Sequence, residues 1–236
     1  MKSIVEYFTP TNEIEVPDQY LEIPIASWEV VIQPLLEEVA NRYGESSVTD
    51  EMVAELGIGD VSTVEGFRQF AKEYYQDEYI SYAFYHKLLP FLLAYHGETA
   101  EVVINAEERD SYVEEYLEQI EAFADEAELP VNDYAQLKLG LRGDIPKILN
   151  ERAVEDYTFK LIAHHIFKAK GHELDEMTYE RFIQQNVLRS GADEIEMRER
   201  YPYPVFKKIM PEMSFNSELF EYYKPKFTFK VTGETI

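Results

Sequence analysis

Three histidines have the spacing that comes closest to a metal site in this chain: His164, His165 and His172. Adjacent residues of a helix point about 100° apart, so His164 and His165 do not readily face one metal ion. No pair of histidines brackets a glutamate at the spacing of metalloproteases, and the chain contains no cysteine. We therefore predict no metal site, no disulfide and no thiolate catalysis, and we interpret these histidines as ordinary helix residues.

Carboxylates are abundant, and a pair of them could serve as a general acid and a general base. Such a pair must lie in two different environments within one pocket, whereas the 46 acidic residues are spread along helix faces that water would solvate. The sequence also lacks a glycine-rich phosphate loop and a nucleophile elbow. We therefore predict a protein that is not an enzyme and that uses no cofactor.

The charge balance is strongly acidic, because 46 acidic residues stand against 22 basic ones and give a formal net charge of -24. Such a surface repels nucleic-acid phosphates and anionic lipid unless basic residues are segregated. Basic residues are enriched only near the end of the chain, at Arg198, Arg200, Lys207, Lys208, Lys224, Lys226 and Lys230. We interpret them as partners of the acidic helices, with an external acidic ligand as the alternative. Neither nucleic acid nor a membrane is a predicted partner.

The N-terminal residues contain no apolar run of signal-peptide length, and nowhere do about eighteen uncharged apolar residues follow one another. The prediction is a cytoplasmic protein.

Extended and helical signals follow one another in the first half of the chain. Residues 1–26 are predicted to form an extended arm, within which Tyr20 to Ile25 alternates like an edge strand. Ser27 is expected to cap a helix that reaches Tyr43. A second long helix is expected to start at Ser62 or Thr63, to break around Pro90 and to end by Gly97.

Helical signals dominate the second half as well. The cleanest amphipathic segment is 105–128, and Asp144 is expected to cap the longest helix, which ends at Gly171. After Tyr201 the sequence predicts shorter helices, followed by an extended segment from Lys226 to Val231. The predicted fold class is all-α with minor extended segments at both termini. Whether the two extended segments pair as a small sheet stays open.

The order of these segments resembles the C-terminal chaperone domain of bacterial trigger factor from about Val48 to Met210. The similarity is carried by VTDEMVAELGIGDVSTVEGFRQFAKEY, ERDSYVEEYLEQIEAFADEAELPVNDYAQL, ERAVEDYTFKLIAHHIFKAKGHELDEMTYERFIQQ and RERYPYPVFKKIM. A weaker similarity, in EIEVPDQYLEIPIASWEVVIQPLLEEVANRYGE, is to the strand and linker helix that precede the family's isomerase domain. The specificity lies in the order and lengths of these segments rather than in any catalytic signature.

The resemblance implies a single domain, an elongated helical body from which two helical arms project. Its segments would be an N-terminal arm (1–26), body helices (27–104), arm one (105–141), a spine helix (142–173), arm two (174–213) and a C-terminal tail (214–236). The family's isomerase and ribosome-docking domains have no counterpart, so neither activity is expected. The stretch from Gly66 to Lys72 imitates the start of the docking loop, but it falls inside a predicted amphipathic helix.

The function that the resemblance implies is that of an ATP-independent chaperone or holdase, which binds nonnative or unassembled polypeptides in an apolar cradle between the arms. The predicted cradle residues are Tyr112, Tyr116, Phe123, Tyr134, Leu137, Phe182, Val187, Met197, Tyr201, Phe206, Met210 and Met213. We expect about a third of them to be exposed, since aromatic residues at helical spacing usually belong to a core. Those between Tyr201 and Met213 look least like core, because they lie among prolines and charges.

An alternative reading is a dedicated binding or assembly protein for one folded partner, or a homodimer that uses the same cradle. Whether the cradle is open or filled by the N-terminal arm stays undecided.

Overall fold

Helices make up most of the computed structural model, which describes residues 2–11 and 13–233. They are α1 (Trp28–Arg42), α2 (Asp50–Glu55), α3 (Val64–Ala83), α4 (Leu89–Thr99), α5 (Ala106–Glu126), α6 (Val131–Leu137), α7 (Ile145–Ala169), α8 (Glu176–Ser190), α9 (Glu194–Arg200) and α10 (Tyr203–Tyr223). Short strands are β1 (Ile4–Tyr7), β2 (Glu22–Ile25), β3 (Glu101–Val103) and β4 (Lys230–Gly233). The predicted all-α class is confirmed at this level.

Helix starts follow the capping residues that the sequence indicated. The side chain of Ser27 accepts a hydrogen bond from the backbone N–H of Val30, and that of Thr63 accepts one from Gly66. Asp144 likewise accepts from Lys147 at the start of α7. Each cap satisfies a backbone N–H that has no partner inside its helix, which fixes where the helix begins.

Within the described residues, the strands form two separate two-stranded sheets. β2 pairs with β4 in parallel, with Ile23 opposite Val231. The question that the sequence left open, whether the two extended segments pair, is thus answered. β1 pairs with β3 in antiparallel register, with Val5 opposite Val102; this second sheet was not predicted, since β3 lies in a short connection after α4.

Two prolines that suggested breaks are accommodated within helical structure. A π-helical stretch, Phe84–Leu88, directly precedes α4, whose second residue is Pro90. The ring of a proline crowds the carbonyl four residues earlier, here that of His86, so a wider turn at this point allows the chain to stay helical. Pro204 is the second residue of α10, where a backbone N–H has no helical partner in any case.

α10 therefore differs from the shorter helices predicted after Tyr201. It runs from Tyr203 to Tyr223, contains the buried Pro211, and crosses the predicted boundary between arm two and the tail at residue 213.

The chain divides into two compact units. Unit 1 consists of Met1–Thr11 and Leu92–Leu219, and unit 2 of Asn12–Phe91 and Phe220–Ile236. The predicted arm one, spine and arm two all lie in unit 1, whereas residues 27–91 of the predicted body lie in unit 2. Every predicted cradle residue therefore belongs to unit 1.

Hydrophobic clusters hold two groups of helices together within the described residues of unit 1. One joins α5, α6 and the start of α7 through Ile120, Ala135, Leu141, Ile145 and Leu149. The other joins α8, α9 and α10 through Tyr179, Phe182, Ile183, Met197 and Phe206. The predicted arm one thus shares its core with the start of the predicted spine, whereas α8, α9 and α10 pack around a second core.

Unit 2 has its core between α1, α2 and α3, formed by Ile32, Leu36, Val39, Val53, Phe67 and Ala71. The ring of Phe84 also contacts Phe220 edge to face, with centroids 4.9 Å apart. Among the described helices of either unit, none is both long enough and apolar enough to span a lipid bilayer.

Candidate functional site

A groove with a volume of about 480 Å³ lies in unit 1, where α5, α7 and α10 meet. We call it the tyrosine groove. Its lining consists of Tyr112, Glu115, Tyr116, Gln119, Lys160, His164, Pro204, Lys207 and Lys208. Residues of the predicted arm one, spine and arm two therefore contribute to one surface, and Tyr112 and Tyr116 are two of the predicted cradle residues.

Tyr112 is held in place from several sides. Its hydroxyl donates a hydrogen bond to the carboxylate of Asp156 and accepts one from Lys160 Nζ at 2.6 Å. The same ammonium lies 4.6 Å from the centroid of the Tyr112 ring. On another side the ring stacks on Tyr157, with centroids 5.2 Å apart. The aromatic wall of the groove is thus fixed before any ligand arrives.

A mixed charge cluster surrounds this tyrosine. Lys160 Nζ lies 3.8 Å from a carboxylate oxygen of Asp156 and 3.7 Å from one of Glu212. Burial raises the pKa of Glu212. The negative charge of nearby Asp156 raises this pKa further, whereas the positive charge of Lys160 lowers it. Burial lowers the pKa of His164, and the positive charge of Lys160 lowers it further. At neutral pH His164 is therefore neutral.

The two tyrosines are weaker acids in this environment than in water. Burial raises the pKa of Tyr112, and the hydrogen bond to Asp156 raises it further. Burial and the charge of Asp156 raise the pKa of Tyr116 in the same way. Both phenols therefore stay protonated at neutral pH, which suits them to hydrogen bonding and aromatic contact rather than to nucleophilic or base chemistry.

Two lysines at the edge of the groove differ from most of the other basic residues of the C-terminal segment. Arg198 pairs with Glu180 at 2.6 Å and with Glu194 at 2.7 Å, as the intramolecular interpretation predicted. Lys224 and Lys230 also have acidic partners, at Asp77 and Glu22. Lys207 and Lys208 are exposed, and neither forms an ion pair within the described part of the chain. Lys207 Nζ instead lies 4.6 Å from the Tyr203 ring centroid.

The structure separates the twelve predicted cradle residues by exposure. Phe123, Leu137 and Met213 are exposed, to 50%, 72% and 41%. Tyr112, Tyr116, Tyr134, Val187, Tyr201 and Met210 are half-buried. Phe182, Met197 and Phe206 are buried. Of the half-buried ones, Tyr116 and Tyr134 pack at the margin of the α5–α7 cluster, and Val187, Tyr201 and Met210 at the margin of the α8–α10 cluster.

The structure buries Phe182, Met197 and Phe206, so these three predicted cradle residues do not lie on an exposed surface, and their contact with a bound chain stays a prediction. Phe206 is fully buried, and its ring centroid lies 5.2 Å from that of Phe182. Its expected exposure depended on a chain broken by prolines after Tyr201. Because α10 begins at Tyr203 instead, Phe206 and Met210 fall on one helix face and pack against α8. These side chains form a core.

Sequence reasoning missed the charged residues of the groove. Lys160 is the one Lys or Arg between Phe159 and Phe167, a stretch that reads as apolar all round, and this was a usable signal. Lys207 and Lys208 were noticed only as part of a basic segment. Glu212, which pairs with Lys160 but does not line the groove, is one of many carboxylates and has no distinguishing signal in the sequence.

A second cavity of about 410 Å³ lies beside the end of α7, between α8 and α10. Phe182 and Met210 line it together with Phe167, His172, Asp175, Thr178 and Arg181. Asp175 is already engaged there as the cap of α8, because it accepts the backbone N–H of Thr178 at 2.8 Å.

The three clustered histidines separate in space by environment. His164 lines the tyrosine groove, whereas His165 and His172 are exposed. The ring of His172 lies 5.0 Å from that of Phe167. Across residues 2–11 and 13–233, no three histidine or carboxylate side chains come together as a group that could hold a metal ion.

Comparisons with protein families, with characterised proteins and with solved structures find no significant match for this chain. The resemblance of residues 48–210 to the trigger factor chaperone domain stays a prediction made from the sequence.

Proposed function

We propose that this protein binds exposed segments of nonnative or unassembled polypeptides as an ATP-independent chaperone or holdase, and that the tyrosine groove is its binding surface. The observation that carries the proposal is the groove itself, with its two tyrosines and the stems of its lysines. Tyrosine offers a broad apolar face and a polar tip, a combination that suits partners of varied sequence.

The energetics of such a surface are favourable without a deep pocket. A client side chain that buries about 100 Å² of apolar surface gains about 2.5 kcal/mol before ordering costs. Five or six such contacts gain about 12 to 15 kcal/mol, which leaves the roughly 8 kcal/mol of micromolar affinity after association and ordering costs of about 5 kcal/mol. Because Tyr112 is already fixed by Asp156, Lys160 and Tyr157, little side-chain freedom is lost there on binding.

Exposed apolar residues elsewhere in unit 1 add to the available surface. Phe123, Leu137 and Met213 are solvent-exposed in the free protein. Apolar exposure of this kind promotes aggregation in a neutral protein, whereas a formal net charge of -24 keeps identical molecules apart. A holdase needs both properties together.

The test is light scattering from a chemically denatured, aggregation-prone model protein that is diluted into buffer with and without an equimolar amount of this chain. We expect suppression of aggregation at low and at high salt, because apolar capture survives screening. Tyr116→Ser should weaken suppression several-fold, since it removes an aromatic ring from the groove. The hydroxyl of Tyr116 forms no hydrogen bond among the described residues, so the substitution breaks none.

The matched control is Tyr74→Ser, which removes an exposed tyrosine of α3 in unit 2. It should leave suppression unchanged. Absence of suppression at several-fold excess, or equal suppression by the wild-type chain and Tyr116→Ser, would overturn the proposal.

A further inference from the structure

The edge of the tyrosine groove carries positive charge in a strongly acidic molecule. The formal net charge is -24, so acidic partners for a lysine side chain are plentiful. Lys207 and Lys208 nevertheless form no ion pair among the described residues, although they are neighbours on α10 and both line the groove.

Lys160 adds a third ammonium with donor capacity to spare. An ammonium has three N–H donors, and Lys160 Nζ uses one of them at 2.6 Å to the Tyr112 hydroxyl. The carboxylates of Asp156 and Glu212 lie 3.8 and 3.7 Å away, within ion-pair distance of the same ammonium. A carboxylate brought into the groove by a ligand would share Lys160 with them, and it would meet Lys207 and Lys208 without such competition.

The groove lining itself has a net positive charge. Its charged members are Lys160, Lys207, Lys208 and Glu115, which is three positive charges against one negative. The Tyr116 hydroxyl provides a further donor beside them, whereas the Tyr112 hydroxyl already donates to Asp156. Carboxylates are the natural acceptors for such a set, because charge-assisted hydrogen bonds from ammonium groups are stronger than neutral ones.

We propose that the tyrosine groove selects acidic polypeptide segments, whose carboxylates bind Lys160, Lys207 and Lys208 while neighbouring apolar side chains lie on Tyr112 and Tyr116. The inference rests on the proposed function of the groove and names its substrate class. The preference of the groove is opposite to that of the whole molecule, because a net charge of -24 attracts basic segments at long range. Long polyanions such as nucleic acids are repelled by that same charge, which leaves short acidic segments of a polypeptide as the occupant.

The experiment uses the full chain and three labelled peptides of equal length that share their aromatic and aliphatic residues. They differ only in carrying glutamate, glutamine or lysine at the same three positions. Fluorescence anisotropy at moderate ionic strength is expected to rank the peptides Glu above Gln above Lys. The double variant K207Q/K208Q should weaken binding of the Glu peptide roughly tenfold and leave the Gln peptide almost unchanged.

The matched control is K138Q/K168Q, which removes the same charge from two exposed lysines of unit 1 outside the groove. It should leave the binding of all three peptides unchanged. Equal binding of the Glu and Gln peptides would overturn the acidic preference and leave the proposed function standing. Failure of every peptide to bind would overturn the proposed function.

Sedimentation velocity without peptide tests whether a second copy of this chain occupies the groove instead of a peptide. A dimer that K207Q/K208Q dissociates and K138Q/K168Q does not would mean that the lysine edge binds a second copy of this chain, which would overturn the inference. A monomer for all three proteins is the expected result.

Discussion

Tyr112 shows how a single side chain organises the wall of the groove. It links an acid on α7 to a base one helical turn further along α7, since its hydroxyl joins Asp156 to Lys160. Without that hydroxyl, two half-buried charges lose a shared hydrogen-bond partner, and α5 loses a polar contact with α7. The position was predicted from aromatic periodicity, but its hydrogen bonds depend on how α5 packs against α7.

Tyr112→Phe should therefore lower the free energy of unfolding by about 1 kcal/mol, the usual cost of removing one partner of a buried or half-buried hydrogen bond. The comparison is Tyr116→Phe, one turn later on α5, where the hydroxyl has no hydrogen-bond partner among the described residues. Urea unfolding followed by circular dichroism measures both. An equal effect of the two substitutions would contradict the role assigned to the Tyr112 hydroxyl.

Glu108 ties the N-terminal segment to α5. Its carboxylate accepts the backbone N–H of Ser3 at 2.8 Å and that of Lys2 at 2.6 Å, and these bonds lower its pKa from 4.5 to about 2. A carboxyl with a lowered folded-state pKa stabilises the fold above the unfolded value and loses that contribution as the pH falls through the folded value. We expect β1 to loosen as the pH falls from 4.5 to about 2.

Glu108→Gln should loosen β1 already at neutral pH, seen as faster amide hydrogen exchange in residues 3–7. Glu107→Gln is the control, because Glu107 contacts this segment through an exposed ion pair with Lys2 Nζ at 2.6 Å. If exchange in residues 3–7 is unaffected by Glu108→Gln, the carboxylate does not hold the strand.

The residues at which helices begin could be predicted from the sequence, whereas the pairing of distant segments could not. Ser27, Thr63 and Asp144 act as caps because the signal is local, a side-chain oxygen within three residues of the N–H that it satisfies. The pairing of β1 with β3 joins segments about a hundred residues apart and leaves no local trace. The tyrosine groove follows the same division. Tyr112 and Tyr116 could be named from periodicity on α5, whereas Lys160 and Lys207 join them only through the meeting of three helices.

The correction at α10 has a measurable consequence. Phe206 is fully buried against Tyr179 and Phe182, with both ring centroids 5.2 Å away. Phe206→Ala should therefore lower the free energy of unfolding by about 3 to 4 kcal/mol. The adjacent Val205 is 39% exposed, and Val205→Ala should cost under about 1 kcal/mol. Urea titration compares the two. Similar small losses would mean that Phe206 does not belong to the core of α8, α9 and α10.

At the scale of the whole molecule, the excess of acidic residues is the dominant electrostatic property. The exposed face of α5 alone carries Glu114, Glu118 and Glu121 at helical neighbour spacings, and like charges at such spacings repel. A formal net charge of -24 adds long-range repulsion that the unfolded chain relieves by expanding. The hydrophobic clusters of the fold must offset that repulsion.

Screening this repulsion should stabilise the protein. Between about 10 mM and about 500 mM salt we expect the melting temperature to rise by about 2 to 4 °C, which corresponds to about 1 kcal/mol in a chain of this size. The triple variant E114Q/E118Q/E121Q should melt higher than the wild-type chain at low salt and respond less to added salt, because it removes three mutually repelling charges. Differential scanning calorimetry measures both. A melting temperature that stays constant or falls as salt is added would mean that attractive ion pairs, such as Arg198 with Glu180, outweigh the repulsion.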